Sequence, residues 1–130
     1  MSKTYEFLVE CGVFFVATIN ENSPAIRPFG AVMEHDNALY ISTANYKDVY
    51  SQMVRNPRIQ ISAKREGTRD WIRINGAAAE VFDLHIKQKM LDTCPRLISR
   101  FGSNDCEQFA LFRIDEMESS LNINSFVKLN

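Results

Sequence analysis

The sequence predicts a small, mainly β domain with a few short helices, in which six or seven antiparallel strands close into a barrel. Short segments rich in β-branched and aromatic residues follow one another with only turn-length gaps up to residue 46. A chain of 130 residues gains from closure, because a closed sheet hides its strand edges. A doubly wound fold would need early strand–helix alternation and a glycine-rich phosphate loop, and the sequence has neither.

The first half of the chain predicts one helix followed by three strands. Tyr5, Leu8 and Val9 recur at helical spacing, and Gly12 ends the pattern as a glycine C-cap. Three extended segments then follow, separated by short polar turns, which predicts an antiparallel meander. These segments are residues 13–19, 25–34 and 38–43.

The second half predicts a helix, further strands and a second helix. Val49, Met53 and Val54 lie on one face of a helix that ends near Asn56, because Pro57 disfavours helical geometry in the residue before it. The remaining predicted elements are strands at 58–63, 71–82, 109–114 and 121–126, a helix capped by Asp83 that runs to Leu91, and a turn opened by Pro95.

Composition predicts one domain, spanning residues 1–130, and narrows the classes of partner. Fifteen Lys and Arg against sixteen Asp and Glu give a formal charge of −1, so no overall basic field attracts nucleic acid or an anionic membrane. No apolar run is long enough to span a bilayer, and the first residues lack the pattern of a signal peptide. We therefore expect a cytoplasmic protein whose anion site, if it has one, is local.

Cysteine and histidine usage gives no support for a metal site. Cys11, Cys94 and Cys106 are an odd number without C-x-x-C spacing, and we expect them to be reduced packing residues. His35 and His85 are the only histidines, which argues against a histidine-based metal centre or a Ser-His-Asp triad. An acidic patch near a predicted strand turn is interpreted as solvated: Asp115, Glu116 and Glu118.

Two hydroxyls and a lysine are spaced as a phosphate site would need them. Ser42 and Thr43 end a predicted strand, and Lys47 lies at the start of the next helix. Free backbone N–H groups and the helix dipole favour an anion at that position. On spacing alone, a simple strand end followed by a solvated lysine explains the same residues.

A second motif, from Arg27 to Gly30, is expected to meet the first one. If the second and third strands pair through the turn at 35–37, residues 27–32 lie opposite 41–46 and Arg27 adds a second cation. Pro28 has no N–H, so the backbone beside it is left unpaired and able to meet polar atoms of a ligand. The alternative is a bulge with a packed Phe29.

In their order and spacing these residues resemble the FMN-binding split-barrel family related to pyridoxamine 5'-phosphate oxidase. The resemblance runs from the first helix through the strand that contains Trp71 and weakens after about residue 84. It is closest to the short bacterial members, which include nitroimidazole reductases and general stress proteins. The motifs that carry it are Arg27-Pro28-Phe29-Gly30, Tyr40-Ile41-Ser42-Thr43, Tyr46-Lys47 and Asn56-Pro57.

The resemblance implies a six- to seven-stranded antiparallel split β-barrel of the FMN-binding type, with FMN as the cofactor. The flavin ring would lie along the first motif and the flavin phosphate on the second and third. The implied ring contacts are Arg27, Pro28 and Phe29. The implied phosphate contacts are Ser42, Thr43 and Lys47, with Tyr46 beside them.

The resemblance also implies a contact across a dimer interface, made by the strand that begins at Trp71. Its alternation places Ile72 and Ile74 inward and Trp71, Arg73 and Asn75 outward. In the family the flavin lies between two subunits, so Trp71 and Arg73 are candidates for contact with the partner's cofactor or with substrate. Ordinary dimer packing explains the same pair, because Trp and Arg are enriched at interfaces.

The expected function is that of an FMN-binding homodimer and flavin-dependent oxidoreductase of a small molecule, with no catalytic side chain identified. The tail at 119–126 lacks the Arg- and His-bearing segment by which true pyridoxamine 5'-phosphate oxidases bind substrate phosphate. A non-catalytic flavin binder or redox sensor is one alternative. Another is a relative that binds haem, against which the lone histidines argue, or F420, which would need more basic residues along a longer groove.

Overall fold

The computed structural model describes residues 2–122 and 126–128, which form four helices and eight strands. The helices are α1 Lys3–Cys11, α2 Asp48–Arg55, α3 Leu84–Thr93 and α4 Arg96–Phe101. The strands are β1 Phe14–Asn20, β2 Ser23–Phe29, β3 Val32–His35, β4 Ala38–Ala44, β5 Arg58–Lys64, β6 Trp71–Val81, β7 Phe109–Asn122 and β8 Phe126–Lys128.

All strands join one antiparallel sheet in the order β2-β1-β5-β6-β7-β4-β3, with β8 paired to β7. The two end strands of this path, β2 and β3, are consecutive in the chain and are separated only by Gly30 and Ala31. The sheet therefore curls round on itself, and the prediction of an antiparallel split barrel is confirmed.

Two groups of buried apolar side chains hold the fold together. The first lies inside the curled sheet and includes Phe14, Ile61 and Ile74. The second lies between the sheet and the helix pair α3–α4 and includes Met90 and Phe109. Successive side chains point to opposite faces of a strand, so β4 contributes to both groups and is buried along nearly its whole length.

The predicted strand at 25–34 is two strands, which corrects the predicted meander. Residues 23–29 pair with β1, and Val32 begins a separate pairing with β4, opposite Ile41. Gly30 and Ala31 carry the chain between the two partners. The expected pairing of residues 27–31 with the end of β4 does not form, because β2 has left that side of the sheet.

Two helix faces also differ from prediction in detail. Val9 in α1 and Val54 in α2 were expected on the buried faces, but both side chains are more than half exposed. The buried positions in their place are Phe7 and Gln52. The cap of α3 is as predicted, since the Asp83 carboxylate accepts from the first-turn backbone N–H groups at 2.8 and 3.2 Å.

The last part of the sheet is one long strand where the sequence predicts two shorter ones. β7 continues through Asp115, which Arg113 holds with two hydrogen bonds of 2.6 and 3.0 Å, so the acidic patch lies within a strand. Glu116 takes a positive φ of 51° at a bulge opposite Gly76. Part of the predicted strand at 121–126 lies outside the described residues, which exclude 123–125.

Helix α4 was not predicted as a helix. The sequence indicates only a turn opened by Pro95, yet residues 96–101 are helical and end at Gly102, which has a φ of 85°. No helix in the described part of the chain has the length and apolarity needed to cross a membrane.

Candidate functional site

The main cavity opens where the sheet is split between β2 and β3. It has a volume of about 380 Å³ and lies between the end of β2, the end of β4, the start of α2 and helix α4. Its lining residues are Val13, Arg27, Pro28, Phe29, Gly30, Ala31, Ser42, Thr43, Lys47, Val49, Arg96, Leu97 and Arg100.

The end of β4 supplies two buried hydroxyls to this cavity. Ser42 and Thr43 are neighbours on the strand, so Thr43 lies on the face that turns into the barrel and Ser42 on the face toward α3 and α4. Both side chains are buried. The Ser42 Oγ has no hydrogen-bond partner among the described residues. A buried hydroxyl without a partner is uncommon, and here it lies at a cavity wall where a ligand can reach it.

Helix α2 begins at the cavity without a side-chain cap. Lys47 is its N-cap residue, has extended backbone angles of −87° and 152°, and provides no capping side chain. Val49, in the first turn, also lines the cavity. The exposed Lys47 ammonium and the N-terminal end of the helix dipole therefore act at the same place, and both favour an anion.

Arg27 is held in the cavity wall by a buried polar pair. Its guanidinium donates to Thr18 Oγ1 at 2.7 Å and to Gln52 Oε1 at 2.6 Å, and Thr18 donates to the same Gln52 oxygen at 2.5 Å. Thr18 belongs to β1 and Gln52 to α2, so the arginine joins a strand to the helix that carries Lys47. The sequence predicted that pairing of the second and third strands brings Arg27 to the Ser42–Lys47 segment. β2 pairs with β1 instead, and Arg27, held by this network, lines the same cavity as Lys47.

Positive charge dominates the cavity. Arg27, Lys47, Arg96 and Arg100 line it, no carboxylate does, and none of the four forms an ion pair with a described acidic residue. Burial lowers the pKa of Arg27, and the negative charge of Asp48 partly offsets that effect. Four unpaired cations around one small volume make a site for a group with more than one negative charge.

Gly30 and Arg96 form a close contact on the far side of the cavity. The Arg96 guanidinium donates to the Gly30 carbonyl. A Cβ placed on Gly30 would lie 2.6 Å from Arg96 Nη2, so a larger residue here would displace the guanidinium from this position. Sequence reasoning missed Arg96 and Arg100. The available signal was their spacing of four residues directly after Pro95, which places both on one side of a short helix.

Six of the nine site residues predicted from the sequence lie together in the main cavity, and three do not. The six are Arg27, Pro28, Phe29, Ser42, Thr43 and Lys47. Tyr46 is 65% exposed and outside the lining. Trp71 and Arg73 lie on β6, where the predicted inward Ile72 and Ile74 are fully buried and the Arg73 guanidinium stacks over the Trp71 ring at 5.0 Å.

The described residues contain no cluster of three or more His, Cys, Asp or Glu side chains able to hold a metal ion. The three cysteines are free and half-buried, and burial raises the pKa of the Cys11 and Cys94 thiols. Thiols of that kind stay protonated near neutral pH.

Three solved structures similar to this chain show the range of proteins that share its fold. A NimC/NimA family protein from Clostridium acetobutylicum is 33% identical with a TM-score of 0.91, covering 98% of this chain and 90% of that one. The haem storage protein of Vibrio cholerae is 17% identical with a TM-score of 0.73, covering 97% of each chain. A pyridoxamine 5'-phosphate oxidase-related, FMN-binding protein from Nostoc punctiforme is 18% identical with a TM-score of 0.62, covering 89% and 76%.

The Vibrio cholerae and Nostoc punctiforme proteins are only 17% and 18% identical to this chain, so their similarity establishes the fold alone. No curated protein matches the sequence of this chain. The family model for pyridoxamine 5'-phosphate oxidase matches residues 2–118, which includes every strand and helix that forms the main cavity. Together with the Clostridium acetobutylicum protein, this match covers most of the sequence. The chain belongs to the pyridoxamine 5'-phosphate oxidase family.

Proposed function

We propose that this protein binds FMN in the main cavity and acts as a flavin-dependent oxidoreductase. One observation carries the proposal: a cavity lined by four unpaired cations also contains the buried Ser42 hydroxyl, which has no partner among the described residues. The family supports the same cofactor, since a structural neighbour is an FMN-binding protein.

The flavin phosphate accounts for the polar end of the cavity. A phosphate monoester carries nearly two negative charges and several acceptor oxygens. Lys47 supplies one cation and Arg27 the second, while Ser42 and Thr43 supply hydroxyl donors that are already buried beside them. Donors held in place before binding lose little conformational entropy when the ligand arrives.

The flavin ring is assigned to the segment from Pro28 to Gly30. β2 is an end strand of the sheet, so the backbone groups on its outer edge do not bond to β1. Those groups can meet the polar edge of the ring. Phe29 packs on the buried Phe14, with ring centroids 6.1 Å apart.

FMN, when bound, supplies the two-electron redox chemistry, and the chain supplies binding and orientation. Arg27 and Lys47 fix the phosphate end, and the Pro28–Gly30 backbone fixes the plane of the ring. No side chain is assigned as an acid or base. A non-catalytic flavin binder would have the same cavity, and the two functions separate by turnover with an electron donor.

Haem is less well supported as the ligand of this cavity. The side chains that commonly ligate haem iron are His, Cys, Met and Tyr, and none of the described residues that line the main cavity is of these types. His85 is exposed on α3, and His35 ends β3 outside the lining.

We further propose a two-fold homodimer with the flavin near the subunit interface. Phe15, Ile19 and Ile26 are exposed on the outer face of β1 and β2, which we call the outer apolar face. Pro28 lies beside Phe15 on this face and also lines the main cavity. A partner covering the face would therefore come close to the cofactor site.

The first experiment identifies the cofactor. The purified protein should be yellow and show flavin absorption bands, and the released ligand should have the mass of FMN. A haem Soret band, an F420 mass, or a protein that stays colourless and fails to bind added FMN would contradict the proposal.

The second experiment assigns the phosphate. Lys47→Ala removes a charge-assisted hydrogen bond of about 1.5 to 3 kcal/mol, so FMN affinity should fall roughly ten- to a hundredfold. Riboflavin shares the ring but lacks the phosphate, so its affinity should hardly change. Lys3→Ala, an exposed lysine at the start of α1, is the matched control and should bind both flavins normally. Equal losses for both flavins in Lys47→Ala would show that Lys47 does not act on the phosphate.

A further inference from the structure

A second cavity lies behind the first, and Gly30 and Arg96 line both of them. Its volume is about 410 Å³. It is bounded by α1 on one side, where Tyr5 and Val9 contribute, and by Cys94, at the end of α3, on the other. The segment to which the flavin ring is assigned thus forms the boundary between the two cavities.

The second cavity is chemically unlike the main one. Its walls are largely apolar, and Arg96 is the only charged residue among the described residues that line it. Burial raises the pKa of the Tyr5 hydroxyl and of the Cys94 thiol, so both are uncharged near neutral pH. The Cys94 thiol also donates to the Val32 carbonyl at 3.6 Å. One unpaired cation therefore faces an otherwise neutral, apolar volume.

Arg96 has hydrogen-bonding capacity left for a ligand. Its guanidinium has five N–H donors in a planar arrangement, and its hydrogen bond with protein goes to the Gly30 carbonyl. That contact holds the planar group where the two cavities meet, since Gly30 and Arg96 line both of them. A guanidinium held in this way matches the two oxygens of a carboxylate.

We propose that the second cavity binds the apolar body of a small carboxylic acid whose carboxylate pairs with Arg96. The volume lies in the range of small-molecule sites. Arg96 is the one cation on the second cavity and suits a monoanion, whereas Arg27, Lys47 and Arg100 line the main cavity alone and suit a phosphate. The position beside Gly30 brings such a molecule against the edge of the flavin site. We assign this acid as the substrate of the flavin, and that assignment rests on the proposed function. The binding of the acid to the second cavity does not depend on flavin.

The test uses three probes on the purified full chain, with and without FMN, by isothermal titration calorimetry. Phenylacetate has both the apolar body and the carboxylate, phenylacetamide has the body alone, and acetate has the charge alone. Phenylacetate should bind at least tenfold more tightly than either of the other two. Equal binding of phenylacetate and phenylacetamide, or of phenylacetate and acetate, would overturn the proposal.

Two variants locate the site. Arg96→Gln keeps an N–H donor for Gly30 but removes the charge, so phenylacetate affinity should fall about tenfold to the level of phenylacetamide. Arg69→Gln makes the same charge change at an exposed residue that lines neither cavity and should leave all three probes unchanged. Val9→Glu places a carboxylate at an exposed position of the apolar wall and should weaken phenylacetate more than phenylacetamide. An Arg96→Gln protein with wild-type phenylacetate affinity would refute the assignment.

The two proposals fail in different ways. If the protein binds no flavin but still distinguishes phenylacetate from phenylacetamide through Arg96, the cofactor assignment is wrong and the acid site stands. If FMN binds and Lys47→Ala behaves as expected, but Arg96→Gln has no effect on phenylacetate, the acid site is wrong and the cofactor assignment stands. With FMN bound, phenylacetate should also perturb the flavin absorption spectrum.

Discussion

The Ser42 hydroxyl sits in a position that costs stability unless a ligand uses it. A buried polar group without a partner costs about 1 to 3 kcal/mol relative to a satisfied one. Ser42 is 8% exposed, and its side-chain oxygen has no hydrogen-bond partner among the described residues. A ligand oxygen in the main cavity that accepted a hydrogen bond from the Ser42 hydroxyl would remove that penalty.

The first residue-scale prediction is that Ser42→Ala separates stability from binding. Without flavin, the variant should be as stable as the wild type or more stable by up to about 1 kcal/mol, because an unsatisfied hydroxyl is lost. Its FMN affinity should fall roughly ten- to a hundredfold, since a hydrogen bond to a charged phosphate is lost. Thermal unfolding and flavin fluorescence titration measure the two effects. Ser99→Ala on the exposed side of α4 is the control, and a destabilised Ser42→Ala protein with normal FMN affinity would contradict the prediction.

Gln52 holds the Arg27 guanidinium in place without cancelling its positive charge. Its side-chain oxygen accepts from both Arg27 and Thr18, and it is neutral, so the guanidinium is held without being neutralised. A carboxylate at this position would hold Arg27 equally well but would cancel the charge that the phosphate needs. Because Gln52 is neutral, it positions the Arg27 guanidinium without forming a buried ion pair with it.

Gln52→Glu should leave the fold intact and selectively weaken FMN. The new carboxylate pairs with Arg27, so FMN affinity should fall at least tenfold while riboflavin affinity stays within about twofold. Gln88→Glu makes the same change at an exposed position of α3 that lines neither cavity and serves as the control. Unchanged or increased FMN affinity in Gln52→Glu would show that the charge of Arg27 does not act on the phosphate.

At the scale of elements, local sequence predicts most strands but not their partners. The predicted turn clusters at 20–24 and 35–37 lie at real strand ends, although Ser23 and Pro24 already belong to β2, and Asp83 marks a real cap. The break at Gly30 was missed because no run of turn residues surrounds it; it arises because β2 pairs with β1 and β3 with β4. Helix α4 has only six residues, too short for periodicity to be recognised. Tertiary packing decides both features.

The β-bulge in the pairing of β6 with β7 depends on one glycine. Between the pairs Asn75–Glu118 and Ala77–Asp115, β6 has a single residue, Gly76, where β7 has two. A Cβ on Gly76 would lie 2.5 Å from Ile114 Cγ2 and 3.0 Å from the Asp115 carbonyl oxygen. The second contact is with backbone and cannot be relieved by a change of rotamer.

Gly76→Ala should therefore destabilise the fold by about 1 to 3 kcal/mol, the usual cost of forcing an atom into a packed interior. Urea unfolding monitored by circular dichroism measures the change. Gly67→Ala is a useful comparison, because that residue has a φ of 76° but open space around it, so its cost is conformational alone, about 1 kcal/mol. A Gly76→Ala protein no less stable than Gly67→Ala would mean that the strands separate at the bulge without cost.

At the scale of the whole molecule, the two halves of the cationic cavity differ in how far sequence can predict them. Arg27, Ser42 and Lys47 lie within twenty-one residues of one another, and a family resemblance links them. Arg96 and Arg100 come about fifty residues later and reach the cavity only because α3 and α4 pack against β3, β4 and β7. No local pattern specifies that packing. The cavity residues contributed by β2, β4 and the start of α2 were therefore predictable as a group, and those contributed by α4 were not.

The outer apolar face also belongs to the whole molecule, because it forms only when β1 and β2 pair in their observed register. Phe15 lies opposite Pro28 and also opposite Ser62, which pairs in turn with Arg73. The face thus continues from the edge of the main cavity toward Trp71. Exposed apolar side chains grouped on one sheet face are typical of a subunit interface.

The last prediction concerns assembly. At micromolar concentration the wild-type protein should sediment as a dimer, and Ile26→Lys should sediment as a monomer, because a lysine near the centre of the outer apolar face would be buried without a partner. Val54→Lys makes the same change at an exposed apolar residue of α2, away from this face, and should stay dimeric. The monomeric variant should also bind FMN more weakly, since one wall of the site would be missing. A wild-type monomer with bound FMN, or an Ile26→Lys dimer, would exclude this face as the interface.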